Sequence, residues 1–118
     1  MKYTQSHEWY DTNTGRVGIT EFARKELGEI VHIELPTIGT HLEAGEEVAV
    51  VESTKSAADI YTPISGRITA INEELAANPN LINTSPESLG WLYQIESTNP
   101  TDHATLLDHT TYQSMINS

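Results

Sequence analysis

The sequence predicts a mainly β chain: two pseudo-symmetric β halves forming a sandwich or flattened barrel, with short peripheral helices. Three observations point there. Short runs rich in Val, Ile, Thr and Tyr recur between Gly, Pro and Asn/Asp clusters, the punctuation of strands and turns. The pattern Gly28-x-Ile30-x-x-Ile33 returns as Gly66-x-Ile68-x-x-Ile71, 38 residues on. In each half a turn-rich connector then leads to an apolar run ending in glutamate, at 48–52 and 92–96. Two such segments around one core give a two-fold arrangement. The 118 residues are one ordinary domain, expected to span 1–118.

Residues 3–10 read as the first strand and Asp11-Thr12-Asn13-Thr14-Gly15 as a turn. The chain resumes as a strand at 16–20, so the two pair as a hairpin. Thr20 is an N-cap, because its side-chain oxygen can accept from a first-turn amide. A helix follows at 21–27, with Glu21 at the positive end of the dipole and Gly28 as the stop. Segment 29–35 alternates, placing Val31, Ile33 and Leu35 on one face and His32 and Glu34 on the other, and Pro36 ends it. A connector at 38–45 turns at Gly39 and Gly45. The run 48–52 is the most strand-like in the chain, and 59–62 returns from it before Pro63. The intervening 53–58 could be a helix turn by propensity, but its β-branched flanks favour a hairpin joining the halves with a projecting tip. Residues 66–71 form a further strand, 72–76 a helical turn, 78–89 a turn-rich stretch with Pro79 and Pro86, and 91–96 the last strand. Asn99-Pro100-Thr101-Asp102 caps a C-terminal helical region over 102–116, where Thr110 or Thr111 restarts a helix carrying Tyr112, Met115 and Ile116.

Six basic residues face 17 acidic ones, a net charge of −11. Nucleic acid needs a basic footprint that this chain lacks, and anionic membranes are disfavoured for the same reason. The acidic surface suits solubility and partners with basic docking patches. Absence of cysteine excludes disulfides, thiol catalysis and thiolate metal sites. The N-terminus has no apolar or Arg-rich leader pattern, so a cytoplasmic protein is expected. The five histidines show no ligand spacing, and neither a nucleophile elbow nor a phosphate loop is present, which argues against a free-standing enzyme.

Lys55 is one of three lysines and stands at the expected hairpin tip among Ser, Thr and Ala. A lysine on a turn is usually just solvated. A tip between two symmetric halves, however, presents an amine rigidly and accessibly, as attachment of a long prosthetic arm requires. The segment Glu52-Ser53-Thr54-Lys55-Ser56-Ala57-Ala58-Asp59-Ile60-Tyr61-Thr62-Pro63-Ile64-Ser65-Gly66 closely resembles the lipoylation segment of the H proteins of the glycine cleavage system. Ser6-His7-Glu8-Trp9, Val17-Gly18-Ile19-Thr20 and Leu27-Gly28-Glu29-Ile30-Val31 resemble that family's N-terminal motifs. Asn80-Leu81-Ile82-Asn83, Gly90-Trp91-Leu92, and Leu106-Leu107-Asp108 before Tyr112 resemble its C-terminal part. His32 departs from the family's usual aromatic or aliphatic residue and is expected to face solvent.

The resemblance implies a lipoyl/biotinyl-carrier-like barrel-sandwich hybrid with lipoate in amide linkage on Lys55. It implies a monomeric carrier rather than an enzyme, modified by a lipoate ligase or lipoyl transferase. Its partners would be a pyridoxal-phosphate glycine decarboxylase, a tetrahydrofolate aminomethyltransferase and a dihydrolipoyl dehydrogenase. The loaded arm is an N,S-acetal: once its amine loses a proton, the lone pair expels thiolate. A nearby carboxylate keeps that amine an ammonium. Glu8 and Asp59, with Ser6 as an acceptor, match the positions the family uses for this clamp, and without the resemblance the two carboxylates would pass for surface charge. His7 is expected to satisfy a local hydrogen bond, Trp9 to be core or cleft wall, and Trp91 and Tyr93 to be core of the second half. A biotin carrier would flank its lysine with methionines, where this chain has Thr54 and Ser56. The lipoyl domains of 2-oxoacid dehydrogenases normally sit in multidomain chains with flexible linkers. The alternative within the resemblance is a lipoyl relay that donates lipoate or serves redox protection. It would share Lys55 but would not need Ser6, Glu8 and Asp59. A small hydrolase built on Glu8 and Asp59 is the remaining alternative.

Overall fold

The computed structural model describes residues 1–117, so Ser118, the last residue of the expected domain, lies outside the described residues. In chain order the elements are β1 (Lys2–Tyr3), β2 (Glu8–Tyr10), β3 (Arg16–Ile19), α1 (Glu21–Leu27), β4 (Ile30–Glu34), β5 (His41–Leu42), β6 (Glu47–Ser53), β7 (Ala57–Tyr61), β8 (Gly66–Ile71), α2 (Glu74–Ala77), α3 (Asn80–Thr84), β9 (Tyr93–Ser97), a 3-10 turn (Pro100–Thr105) and α4 (His109–Ile116). A six-stranded sheet runs β1-β2-β3-β9-β8-β5, and a three-stranded sheet runs β4-β6-β7. All pairings are antiparallel. The two sheets do not close into one barrel, in keeping with a barrel-sandwich hybrid. No described helix is long and apolar enough to cross a membrane.

The main core includes Val17, Ile19 and Ile95 from the large sheet and Ile33, Val51 and Ile60 from the small one. A second cluster of Tyr3, Trp9 and Tyr112 packs against Trp91, Leu107, Met115 and Ile116. Strand β2 is therefore buried on both faces: Tyr10 faces the main core while Trp9 faces the C-terminal cluster. Trp9 pairs with Gly18, where a Cβ would sit 2.7 Å from the indole, so only glycine lets the ring lie flat across β3.

The expected repeat has a physical basis in the strands. Residues three apart share a strand face only where the pleat is interrupted. Strand β4 shifts register between Ile30 and His32, and β8 between Ile68 and Ala70. The first shift also corrects the expected alternation. Ile30 and Ile33 are buried, while Val31 is 47% exposed and lies outside with His32.

Other expectations shift with the local geometry. Residues 3–10 are two strands broken by a turn, in which the His7 amide donates to Thr4 O at 3.1 Å. The connector 38–45 contributes β5, and the turn-rich 78–89 contains α3. Helix α4 starts at His109, one residue ahead of the expected restart, because Asp108 caps it by accepting from the Thr111 amide at 2.8 Å. Trp91 is half-buried in the C-terminal cluster, with the Arg16 guanidinium 4.3 Å above its ring, whereas Tyr93 is fully buried in the main core. The Thr20 cap, the Gly28 stop and the Asn99 cap form as expected.

Candidate functional site

Strands β6 and β7 form the expected hairpin, with Lys55 exposed in its tip. Ser53 organises the turn: its Oγ accepts from the amides of Lys55 and Ser56, both at 3.1 Å, and its own amide donates to Ser56 O at 2.8 Å. The Thr54 amide donates to Glu29 O at 3.0 Å, tying the tip to the junction of α1 and β4. The Lys55 stem lies across Gly28. A Cβ there would approach Lys55 Cε to 2.9 Å, and φ of +88° already favours glycine. The one salt bridge among the described residues is Arg24–Glu21, so the Lys55 ammonium is in no ion pair.

Glu8 overturns its bland reading as surface charge, being only 1% exposed. Its Oε1 accepts from Thr4 Oγ1 at 2.5 Å and Ser6 Oγ at 2.6 Å, and its Oε2 accepts from the Tyr61 amide at 3.4 Å. The Glu8 amide donates back to Thr4 Oγ1 at 3.0 Å. A carboxylate is tolerated in so dry a place only when hydrogen bonds replace its water. The contact to Tyr61 carries Glu8 from β2 in the large sheet to β7 in the small one. At about 3.3 Å per residue, the four steps from Ala57 to Tyr61 cover roughly 13 Å, so Lys55 and Glu8 stand at opposite ends of β7.

Ser6 and Glu8 come together as expected. The Ser6 hydroxyl gives its proton to Glu8, which leaves the oxygen lone pairs of this exposed residue to accept from an incoming cation. Asp59 stands apart. It is exposed on β7 opposite Val50 and makes no hydrogen bond or ion pair to Ser6, Glu8 or Lys55. Thr4 was not foreseen, although the alternation Thr4-x-Ser6-x-Glu8 was open to reading. The Tyr61 contributor is a backbone amide and leaves no trace in the sequence. Tyr93 approaches the same carboxylate from β9. Burial pushes its phenol well above its ordinary value; the nearby Thr62 hydroxyl opposes this, and the Glu8 charge adds to it. Its hydroxyl makes no hydrogen bond of good geometry among the described residues, and the Thr62 hydroxyl spends its own proton on Ile64 O at 2.7 Å.

His7 lies between Ser6 and Glu8 at φ +73°, the only described non-glycine residue with positive φ. That conformation costs an L-residue about 1–2 kcal/mol. Four contacts hold it. Its amide bonds Thr4 O, its carbonyl accepts from the Thr20 amide at 3.0 Å, its ring lies 4.7 Å from Phe22, and Nδ1 is 2.9 Å from Tyr112 Oη. Tyr112 Oη is also 2.7 Å from Thr20 Oγ1. Burial raises the Tyr112 phenol above its ordinary value, the Thr20 bond opposing and the Glu87, Tyr3 and Glu8 groups adding to it. No group of three His, Cys, Asp or Glu residues among the described ones could hold a metal ion.

Comparison with known proteins identifies the family and the fold. The family model described as "Glycine cleavage H-protein" matches residues 1–118. The glycine cleavage system H protein of Deinococcus deserti is 51% identical over 112 residues, covering 95% of this chain and 91% of its own length. The probable glycine cleavage system H protein of Halobacterium salinarum is 46% identical over 116 residues, covering 98% and 93%. The crystal structure of the Mycobacterium marinum glycine cleavage system H protein superposes with a TM-score of 0.90 at 36% identity, covering 99% of this chain and 96% of that one. With the family model matching the chain along its whole length and relatives close to half identical over nearly all of it, the chain belongs to the glycine cleavage H-protein family, the lipoyl-carrier family that its lysine segment resembles.

Proposed function

We propose that the chain serves glycine cleavage as its lipoyl-bearing carrier, with lipoate joined in amide linkage to Lys55 and residues 1–118 acting as one carrier unit. The single observation that carries the assignment to Lys55 is its presentation. It is an unpaired amine on an exposed tip whose backbone is fixed by Ser53 and Glu29, with Gly28 leaving room beneath the stem. When bound, the lipoyl group supplies a dithiolane that takes up the aminomethyl group of glycine as it is reduced. In this reading the chain meets a pyridoxal-phosphate decarboxylase, a tetrahydrofolate aminomethyltransferase and a flavin dehydrogenase in turn, after a lipoate ligase or lipoyl transferase has modified Lys55. It works in the cytoplasm as a carrier and performs none of the chemistry itself.

Glu8 holds the proton on the cargo amine, because a buried carboxylate favours the cationic form of a base brought against it. Ser6 accepts from the same ammonium through its free lone pairs, and Thr4 fixes Oε1 so that the charge is aimed in advance. Asp59 lies along the route between Lys55 and Glu8 and adds a weaker, solvent-screened attraction. A lipoyl relay would have the same Lys55 and no need of a carboxylate buried at the far end of β7, so Glu8 favours carriage of an amine. Intact mass and peptide mapping of protein from its native cell test the assignment. A lipoyl increment on Lys55 is expected. A biotin increment, or an unmodified Lys55 in a cell that lipoylates other proteins, overturns it.

A further inference from the structure

We propose that Tyr112, on the C-terminal helix, is a positioning residue for the Ser6–Glu8 site: through His7 it holds segment 4–8 in the left-handed turn that aims the Glu8 carboxylate. The inference rests on the reading of Glu8 given above and adds to it an element more than a hundred residues away in the chain.

His7 makes the connection. Its positive φ reverses the chain between Ser6 and Glu8, so that the Thr4 and Ser6 hydroxyls both reach one oxygen, Glu8 Oε1. The conformation is unfavourable for histidine by itself and persists because its surroundings enforce it. Two of the enforcing groups, Thr20 and Tyr112, are joined to each other. Thr20 caps α1 by accepting from the Ala23 amide, shares a hydrogen bond with Tyr112 Oη on the same Oγ1, and binds His7 O through its amide. Tyr112 thus grips His7 twice, directly at Nδ1 and through Thr20 at the carbonyl. Helix α4 is in turn anchored by Tyr112 stacked on Tyr3 at 4.8 Å and by burial beside Trp9.

The chain of hydrogen bonds works in either direction. With Nδ1 bare, Thr20 donates to Tyr112 and Tyr112 donates to His7. With Nδ1 protonated, His7 donates to Tyr112 and Tyr112 to Thr20. Either tautomer of the imidazole therefore keeps the bonds, with their direction reversed. The charged and titratable groups facing this region include Glu21 and Lys25 on α1, Glu8 on β2, Tyr3 on β1, His109 on α4 and Glu87 in the α3–β9 connection. The buried phenol stays protonated into the alkaline range and can donate throughout.

The test compares Tyr112→Phe, Glu8→Gln and the double variant Tyr112→Phe/His7→Gly with the parent. The phenylalanine keeps the stack on Tyr3 and removes both hydrogen bonds. Glycine at position 7 adopts positive φ without steric cost, so it should restore the turn although it removes the ring and weakens the fold overall. The first readout uses unmodified protein: amide hydrogen exchange at Glu8, whose N–H binds Thr4, and at Thr20, whose N–H binds His7 O. The second is release of formaldehyde and ammonia from lipoylated, glycine-loaded protein. Tyr112→Phe should exchange roughly five- to tenfold faster at both amides, as loss of about one net hydrogen bond implies. It should release formaldehyde faster by a similar factor while being lipoylated like the parent. The double variant should recover slow exchange and slow release even with a lower Tm. Unchanged exchange in Tyr112→Phe, or acceleration the glycine does not reverse, overturns the positioning role. If Glu8→Gln accelerates release in that case, the reading of Glu8 stands without it. If Glu8→Gln retains its cargo as long as the parent, the reading of Glu8 falls and the role of Tyr112 falls with it.

Discussion

The two ends of β7 are held in opposite ways. At Lys55 the backbone is fixed by Ser53 and Glu29, and the side chain is left exposed and unpaired. At Glu8 the side chain is fixed by three donors, and the backbone beside it is strained into a left-handed turn. The first arrangement leaves an amine accessible on a fixed base while leaving its own motion free. The second keeps a charge in a fixed direction in a dry place. Substitutions at the first end should therefore change chemistry with little change in stability, and substitutions at the second should change both.

The largest loss of stability is expected from Glu8→Ala, which strands the hydroxyls of Thr4 and Ser6 and the Tyr61 amide. Urea unfolding should show a deficit of about 3 kcal/mol, and cargo should be lost faster from the lipoylated variant. A stability equal to the parent's would mean that the carboxylate does not bridge the sheets. Gly28→Ala forces an L-residue to φ +88° against the Lys55 stem. A cost of about 1–2 kcal/mol is expected, with lipoylation by a purified ligase slowed because the stem is displaced. Normal lipoylation kinetics would sever the tip from α1. Asp108→Ala should lower the Tm modestly by uncapping α4. The Thr111 amide, followed by its hydroxyl, holds the Asp108 carboxyl below the usual value of 3.8. The cap's contribution is thus complete above that value and fades as pH falls through the lower folded one. The difference between variant and parent should vanish in strong acid, and a constant difference there would point to packing. Asp59→Asn should shorten cargo lifetime less than Glu8→Ala, and an equal effect would put the two carboxylates back on one footing. Lys55→Arg should leave the Tm unchanged and abolish lipoylation, so a lipoylated variant would refute the site.

What the sequence reveals follows the range of the interactions. Thr20, Gly28 and Asn99 are legible because a cap or a stop acts within one helical turn. The hairpin tip is legible because Ser53, Lys55 and Ser56 organise one another. Val31 is misread because a register shift between Ile30 and His32 moves it outward, and nothing in the local alternation announces a bulge. The split of 3–10 and the burial of Glu8 depend on partners far along the chain. Tyr61 lies 53 residues from Glu8, and Tyr112 lies 105 residues from His7. Lys55 stands out by its place at the hairpin tip as well as by a family likeness, whereas Ser6, Glu8 and Asp59 are singled out through the likeness alone. Only geometry separates Glu8, enclosed and multiply bonded, from Asp59, in water.

The Asn83 side chain donates to Ile30 O at 2.9 Å and accepts from the Ile30 amide at 2.8 Å, filling the place a neighbouring strand would take beside β4. At the opposite margin of the small sheet, Glu8 occupies the Tyr61 amide of β7. One end of each border strand of the three-stranded sheet is thus occupied by a side chain, and a strand from a second copy would find the Ile30 amide and carbonyl and the Tyr61 amide already taken. Asn83 meets the Ile30 amide and carbonyl in the way a cap meets the free groups of a helix end. For a carrier that meets its partners by docking, borders closed in this way leave side-chain surface, not open strand edge, as the place of contact.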